Sequence, residues 1–404
     1  MRSGALVVEF RVLSTPEEID AAAELLRSGT GPVSVDAERA SGYRYSQRAY
    51  LLQFYRRGSG TFLLDAPEIA DFTPIREAID GIEWVFHAAS QDLPCLREVG
   101  LDPVRIFDTE LASRLLGREH VGLGAVVHEV LGIELAKAHS AADWSTRPLP
   151  QPWLEYAALD VELLVDLRDR LSGQLEADGK LEIAQQEFAA VLQKQPKPPP
   201  AEPWRRLSGL HSIKDPRRMA VARELWLARD ELARETDIAA GRIVPDAALL
   251  ALAHAMPSSR AAMVATPGFT GRYSRSEAER WWNAIERGRH SSEVPQLRAP
   301  ADGSIPQPRN WASKNPQADR RFKAAREAMT ELAAVMRLPV ENLLTPELLR
   351  RLCWDPAGES VEDIARVLAE AGARPWQIDA CAELLHECFV HVHQTPSESA
   401  EAAS

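Results

Sequence analysis

The chain has 404 residues, of which 45% are hydrophobic and 26% charged, and a formal net charge of -12. This length exceeds one ordinary hydrophobic core and predicts about two to four domains. The composition is that of a globular protein and excludes the disordered and fibrous classes. The four cysteines show neither zinc-finger nor disulfide spacing, and no membrane span or signal peptide is indicated. We therefore expect a reduced, cytoplasmic protein.

The negative total conceals a basic middle segment. Between Gln193 and Asn310 the sequence has 19 Lys and Arg residues against 13 Asp and Glu residues. Clustered Lys and Arg are the side chains that neutralise nucleic-acid phosphates. The net charge of the whole chain therefore does not exclude a nucleic-acid partner.

Helix and strand signals alternate over the first 192 residues. Thr15 as N-cap and Pro16 at the first helical position predict a helix that ends at Gly29. The stretch "PVSVDAE" predicts a strand, "YLLQFY" and "TFLLDA" a hairpin, and "EWVFHA" a further strand before the helix "DLPCLREVG". Two more helical stretches precede a long helix, predicted from Pro152 to about Leu171. This order predicts an α/β domain, with a mixed sheet flanked by helices, over residues 1–192.

The second half of the chain is predicted to be entirely helical. Residues 193–206 are rich in proline, which cannot continue a helix, and predict a linker. Beyond it, two amphipathic stretches open at Pro216 and Pro316, and each has a second proline, Pro245 or Pro346, at a similar spacing. We interpret them as two copies of one small domain, at 207–290 and 311–393, joined by a linker at 291–310. Residues 394–404 are predicted to be a disordered tail.

Two carboxylates follow one apolar strand. In "VSVDAE", Asp36 and Glu38 are at i and i+2 and therefore point to the same face. Like charges so close repel each other unless a cation lies between them, and Mg²⁺ and Mn²⁺ prefer oxygen ligands of this kind. Taken alone, the pair is more simply explained as two solvated acids, so the hypothesis of a metal site needs further carboxylates.

Two later motifs supply them. The stretch "HAASQDL" places Asp92 at the start of a helix, five residues after His87 at the end of a strand. In "YAALD", Tyr156 and Asp160 are at i and i+4 and lie on one face of an otherwise apolar helix. A carboxylate near a buried stripe requires a counter-charge. Each motif also has a structural explanation, as a helix-start acid or as an ordinary core tyrosine.

Together, the three motifs resemble those of the DEDD exonuclease superfamily in its tyrosine-bearing branch, with the order and spacing of the ribonuclease D family. The stretches "FDTELASRLLG" and "SAADWSTRPLPQPWLEYAALDVELL" are similar to that family, and the two helical repeats resemble its HRDC domains. The resemblance implies a ribonuclease H-like exonuclease domain followed by two all-α HRDC-like domains. It also implies a 3′-5′ exoribonuclease that releases nucleoside 5′-monophosphates and acts in tRNA 3′-end maturation or structured-RNA processing.

The resemblance further implies a role for each motif residue. Asp36, Glu38, Asp92 and Asp160 would bind two divalent ions, Mg²⁺ or Mn²⁺. On this resemblance, Asp36 would bridge both ions. Glu38 and Asp160 would serve the ion that bears the attacking water, and Asp92 would hold the second ion. Tyr156 would orient that water, because an ordinary tyrosine pKa of about 10 makes it a poor base at neutral pH.

Substrate contacts are predicted around these motifs and in the basic segment. The expected partner is RNA with a single-stranded 3′ end, such as a tRNA precursor, and basic and aromatic side chains suit its phosphates and bases. Ordinary surface or core roles remain open for all of them. The candidates are His87, Gln91, Tyr43, Arg44, Arg48, Arg205, Arg206, Arg217 and Arg218.

Two other functions stay open at this stage. A 3′-5′ exodeoxyribonuclease would use the same chemistry, because discrimination at the 2′-hydroxyl depends on local geometry. A nucleic-acid-binding scaffold with an inactive catalytic domain is the second alternative. The presence of all four acids and the tyrosine favours an enzyme over the scaffold.

Overall fold

A six-stranded mixed sheet forms the centre of the N-terminal domain. The computed structural model describes residues 9–135, 141–196, 198–298 and 305–394. The strands lie in the order β1-β4-β3-β2-β5-β6, and β3 runs antiparallel to both of its neighbours, whereas the other pairs are parallel. They are β1 (Phe10–Leu13), β2 (Thr30–Arg39), β3 (Ala49–Arg57), β4 (Gly60–Leu64), β5 (Trp84–Phe86) and β6 (Ile106–Asp108). The predicted hairpin is therefore confirmed, whereas the short strand β6 was not predicted.

Eight helices accompany this sheet in the part of the chain described above. In the first helix, Thr15 is the N-cap, as predicted. Its hydroxyl accepts from Glu18 N, and the Glu18 carboxylate accepts from Thr15 N at 3.0 Å. The helices are α1 (Pro16–Ser28), α2 (Thr73–Ala78), α3 (Leu93–Glu98), α4 (Thr109–Leu115), α5 (Leu123–Leu131), α6 (Gln151–Glu162), α7 (Leu164–Ala177) and α8 (Leu181–Gln193). Most of them pack into one large apolar core, and α6 covers a smaller cluster formed with β3 and β4.

The long helix predicted from Pro152 to about Leu171 is wrong in one respect, because it is interrupted at Leu163. The hydroxyl of Ser34, on β2, donates to the carbonyl oxygen of Val161 at 2.6 Å. A side chain that inserts into the hydrogen-bond ladder of a helix is a recognised cause of a break. The interruption ties the end of α6 to the strand that carries Asp36.

Two separate helical cores follow the N-terminal domain. The first unit contains α9 (Pro216–Thr236), α10 (Ala240–Ile243), α11 (Asp246–Ala255), α12 (Arg260–Val264), α13 (Arg272–Ser276) and α14 (Ala278–His290). The second contains α15 (Trp311–Lys314), α16 (Pro316–Met336), α17 (Val340–Leu343), α18 (Pro346–Trp354), α19 (Val361–Glu370) and α20 (Pro375–Gln394). Trp204 is buried in the first core, so that core reaches into the segment predicted as a linker. Apart from Gln394, the predicted tail lies outside the described residues.

Both helical units contact the N-terminal domain through the residue that ends their longest helix. Asp237 and Arg337 end the 21-residue helices α9 and α16, and both adopt left-handed backbone angles, with φ of 50° and 51°. Asp237 accepts from Ser46 N at 2.8 Å, and Arg337 accepts from Lys180 Nζ at 3.2 Å through its carbonyl oxygen. The repeat recognised in the sequence is therefore also a repeat of the docking mode. Across the described ranges, no helix combines the length and apolar character that crossing a membrane requires.

Candidate active site

Strand β2 places Asp36 and Glu38 on the face of the sheet that α6 covers. Across the antiparallel ladder, Asp36 lies opposite Gln53 and Glu38 lies opposite Leu51. Leu51 packs in the cluster beneath α6, so the alternate side chains of β2 on this face point toward that helix. Glu38 is only 8% exposed, which excludes the explanation of two solvated acids for this pair.

The turn after β5 carries Asp92 into the same region. Ala88 has left-handed backbone angles, and the short helical turn Ala89–Gln91 leads into α3, with Asp92 as its N-cap. The carboxylate of Asp92 makes no capping hydrogen bond to α3, although the residue is 5% exposed. A capping role in α3 therefore does not explain the carboxylate of Asp92.

Helix α6 delivers the third motif. Asp160 is 4% exposed, and the Tyr156 hydroxyl, one turn earlier, donates a hydrogen bond to its carboxylate. The pairing at i and i+4 predicted from the sequence thus becomes a direct contact. Because α6 is tied to β2 through Ser34 and Val161, Asp160 is held over the strand that carries Asp36.

The four carboxylates lie close enough to perturb one another. Burial, together with the charges of Asp36, Asp160 and Asp92, raises the pKa of Glu38 to about 10. Burial and then Asp36 raise the pKa of Asp160 to about 8, and the same two causes raise the pKa of Asp92 well above its ordinary value. The pKa of Asp36 is also raised, mainly by burial. The four acidic groups therefore lie close together with too little positive charge beside them to stabilise all four in the ionised form.

This donor set fits a hard divalent cation in its chemistry. All four groups offer carboxylate oxygens, and the nearby cation that lowers the pKa of Asp36, Glu38 and Asp92 is the single guanidinium of Arg39. Among the described residues, however, no three Asp, Glu, His or Cys side chains are already arranged to hold a metal ion. The four acids therefore lie near one another, but their oxygen atoms do not converge on a common point. Metal binding would require their side chains to rotate.

A cleft of about 400 Å³ opens onto this cluster. Asp36, Tyr156 and Asp160 line it together with His87 and Gln91. His87 Nδ1 lies 2.8 Å from Thr109 Oγ1, and burial lowers the pKa of the imidazole to about 4, so the ring is neutral at neutral pH. The structure therefore brings together all five predicted catalytic residues and two of the predicted substrate contacts.

Comparisons with known proteins agree with this geometry. Residues 10–176 match the family described as 3′-5′ exonuclease, residues 218–285 the HRDC domain, and residues 304–389 the family described as 3′ to 5′ exonuclease C-terminal domain. The chain is 30% identical to ribonuclease D of Jannaschia sp. (strain CCS1) over 309 residues, which cover 72% of this chain and 78% of that protein. The chain belongs to the ribonuclease D family. It is accordingly a 3′-5′ exoribonuclease.

Two solved structures share the fold. A protein from Bifidobacterium adolescentis superposes with a TM-score of 0.87 and 35% identity, covering 96% of this chain and 98% of that one. Escherichia coli RNase D, described as an exoribonuclease involved in structured RNA processing, superposes with a TM-score of 0.68 and 22% identity, covering 95% of this chain and 99% of that one. The predicted exonuclease domain and the first HRDC domain are thus confirmed, whereas the second helical unit matches a different family description.

The loop after β2 does not offer the free stacking surface predicted for it. The Arg242 guanidinium lies 3.9 Å from the centre of the Tyr43 ring, and the carbonyl oxygen of Tyr43 accepts from Ala239 N at 3.0 Å. Arg44 donates to Ser145 Oγ at 2.8 Å. The first helical unit therefore packs against this loop, and the Arg242 guanidinium occupies one face of the Tyr43 ring. Arg48 remains exposed beside the Tyr50 ring.

The basic group before α9 is also more structural than predicted. Arg205 stacks on Trp204 and pairs with Glu202 at 2.6 Å, and Arg217 donates to the carbonyl oxygen of Ser291. Arg206 and Arg218 are exposed. None of these four arginines lines the cleft at Asp36, so their predicted contacts with RNA would lie outside it.

Sequence reasoning missed one buried acid that organises the site. Asp108 is 3% exposed and accepts from the backbone nitrogens of Ala88 and Ala89 at 3.0 and 2.9 Å, as well as from Glu110 N and Leu111 N at the start of α4. It therefore holds the turn that delivers Asp92. An N-cap before "TELASRLLG" is recognisable from the sequence, but its second set of donors comes from the turn after β5, about twenty residues earlier.

Proposed function

We propose that Asp36, Glu38, Asp92 and Asp160 hold two divalent ions, Mg²⁺ or Mn²⁺, and that the enzyme removes nucleoside 5′-monophosphates one at a time from RNA. The observation that carries this proposal is the convergence of three buried carboxylates with the half-buried Asp36, because a strongly charged cation relieves their mutual repulsion when all four are ionised. When bound, such ions lower the pKa of water and stabilise the charge that develops on the leaving 3′ oxygen.

Tyr156 acts by orientation in this proposal. Burial and the adjacent Asp160 carboxylate raise the pKa of its hydroxyl above the ordinary value, so the group stays protonated and donates hydrogen bonds. A hydroxyl held by Asp160 at the edge of the cleft can fix the position of an attacking water without removing its proton. Tyr156 is therefore a positioning group for the nucleophile.

His87 and Gln91 meet the terminal nucleotide. Both side chains are on the wall of the cleft, where the Gln91 amide and the neutral His87 ring, whose Nδ1 is already engaged by Thr109 Oγ1, can contact a sugar or a base. A cleft of about 400 Å³ accommodates a single nucleotide but no base-paired helix. The substrate therefore needs a single-stranded 3′ end.

Structured RNA precursors, such as those of tRNA, are the substrates that we infer. They combine a single-stranded 3′ end with a folded body, and the exposed Arg206 and Arg218 on the first helical unit are suited to the phosphates of that body. The description of the Escherichia coli protein as acting in structured RNA processing points in the same direction.

The decisive experiment is a Mn²⁺-dependent digestion of a hairpin RNA with a single-stranded 3′ tail. We expect stepwise shortening from the 3′ end with nucleoside 5′-monophosphates as products. Asp36→Ala should abolish release while RNA binding is retained, which separates an enzyme from a binding scaffold. Asp20→Asn, a change at an exposed acid of α1, is the matched control and should remain active.

Two outcomes would contradict the proposal. Release that persists in Asp36→Ala would remove the metal-site assignment. Faster digestion of the matched DNA oligomer would favour the exodeoxyribonuclease alternative over RNA as the substrate.

A further inference from the structure

Gln53 is buried directly across the sheet from Asp36. The two residues are partners in the antiparallel ladder between β2 and β3. Directly opposed residues of such a pair point to the same face, with Cβ atoms about 4.5–5.5 Å apart. The side chain of Gln53 therefore lies in the layer that also holds Asp36 and Glu38, and it is 0% exposed.

The amide of Gln53 is unpaired. Neither its nitrogen nor its oxygen has a hydrogen-bond partner among the residues that the structure describes. Ser34, two positions before Asp36 on the same face, shows the usual solution, because its hydroxyl donates to the Val161 carbonyl oxygen. A buried amide without partners lowers stability, and native proteins rarely keep one without a reason. A methionine or leucine would fill this position without that penalty.

The neighbour across the ladder supplies the reason. In the structure, Asp36 Oδ1 accepts from Ala37 N at 2.8 Å. With Cβ atoms about 4.5–5.5 Å apart, the glutamine side chain is long enough for its amide to reach the carboxylate of the opposed residue. Rotation about side-chain bonds is then sufficient, and the backbone need not move. A carboxylate that holds cations needs a fixed orientation, which a neutral donor can provide without competing for charge.

We propose that Gln53 is a positioning residue for the metal site, and that its Nε2 donates to the Asp36 carboxylate when the site holds its divalent ions. This inference rests on the proposed metal-dependent function. The amide is kept unpaired in the metal-free fold because its partner is oriented only on metal binding. Stability of the metal-free fold is thereby exchanged for an oriented ligand in the metal-bound site, and such local costs are common at functional sites.

The test uses the full chain with Gln53→Met and Gln53→Leu, which keep similar volume and remove the amide. Leu51→Met, opposite Glu38 on the same face, is the matched control. Thermal unfolding in the presence of a chelator and Mn²⁺ titration calorimetry are the readouts besides activity. We expect the melting temperature of the metal-free variants to stay level or to rise by about 2–4 °C.

In the same variants, we expect Mn²⁺ affinity to fall by about tenfold to a hundredfold, the range that loss of a group orienting a metal ligand produces. The value of kcat should fall with it, while KM for RNA changes little. Leu51→Met should match the wild type in all three readouts.

Two results would overturn the inference. Wild-type Mn²⁺ affinity in both Gln53 variants would show that the amide does not serve the ions. A lower melting temperature of the metal-free variants would show that Gln53 is already paired, for instance with a buried water. If the wild type itself binds no Mn²⁺, the proposed function fails instead, which is a distinct outcome.

Discussion

The substitution Asp160→Asn should stabilise the metal-free protein while abolishing its activity. Asp160 has a pKa of about 8 in the folded chain against an ordinary value of 3.8. At pH 7, the unfolded chain carries the ionised carboxylate, whereas the fold favours the protonated one. About three pH units of mismatch, at about 1.4 kcal/mol each, correspond to about 4 kcal/mol of stability that the wild type lacks at this pH.

Asparagine removes this mismatch because it is neutral at every pH. Its oxygen can still accept from the Tyr156 hydroxyl, and its buried amide nitrogen costs about 1–3 kcal/mol if it stays unpaired. The net gain at pH 7 is therefore about 1–3 kcal/mol. Because the folded pKa is raised, the contribution of Asp160 to the stability of the wild type is most favourable below pH 4 and is lost as the pH rises toward 8. The advantage of Asp160→Asn should thus be absent at pH 4 and should grow up to pH 8.

The assay is thermal unfolding in the presence of a chelator at several pH values, followed by addition of Mn²⁺. We expect Asp160→Asn to melt above the wild type at pH 8 without metal and below it with saturating Mn²⁺, because only the wild type retains the full ligand set. Asp20→Asn serves as the control for a surface acid. A difference that does not change between pH 4 and pH 8, or a variant that is less stable throughout, would refute the reasoning.

Three further substitutions test other parts of the site. Tyr156→Phe should lower kcat by about 100-fold through loss of the oriented hydroxyl, with KM and Mn²⁺ affinity unchanged; weaker Mn²⁺ binding by calorimetry would assign the tyrosine to the metal site instead. Asp108→Asn should lower the free energy of unfolding by about 2–3 kcal/mol, measured by urea denaturation, because backbone donors at the turn lose a charged acceptor; unchanged stability would contradict the role of Asp108. Asp237→Gly keeps the left-handed backbone but removes the acceptor for Ser46 N and the Tyr50 hydroxyl. Trypsin should therefore cut after Arg44 faster than in the wild type. An unchanged digestion pattern would show that other contacts hold the loop.

The local placement of the catalytic groups was predictable because it follows from backbone periodicity. Asp36 and Glu38 share a face because strand side chains alternate, and Tyr156 contacts Asp160 because helix positions four apart are neighbours. The order of helices and strands was also predictable from the sequence. Thr15 and Gly29, for example, mark the ends of α1 by their capping chemistry. Strand β6 escaped prediction because its three residues lead directly into the helix signal of "DTELASRLLG".

Whether a predicted substrate contact is free to meet RNA cannot be read from local sequence, because exposure is a tertiary property. Tyr43 and Arg205 belong to residue types that bind nucleic acids, yet Arg242 covers the first and Glu202 pairs with the second. The partner of Tyr43 lies 199 residues further along the chain. No local pattern in "GYRYSQRAY" indicates that a helical domain will dock on it.

By itself, the sequence indicated which residues are candidates for the chemistry, which of them pair locally, and that the second half of the chain is helical. The tertiary structure alone decided that three distant motifs meet beneath α6, that Ser34 interrupts the helix beside Asp160, and that Gln53 is buried unpaired opposite Asp36. The physical reason is the range of the interactions. Alternation and capping act within a few residues, whereas burial and charge repulsion depend on which distant segments the fold brings into contact.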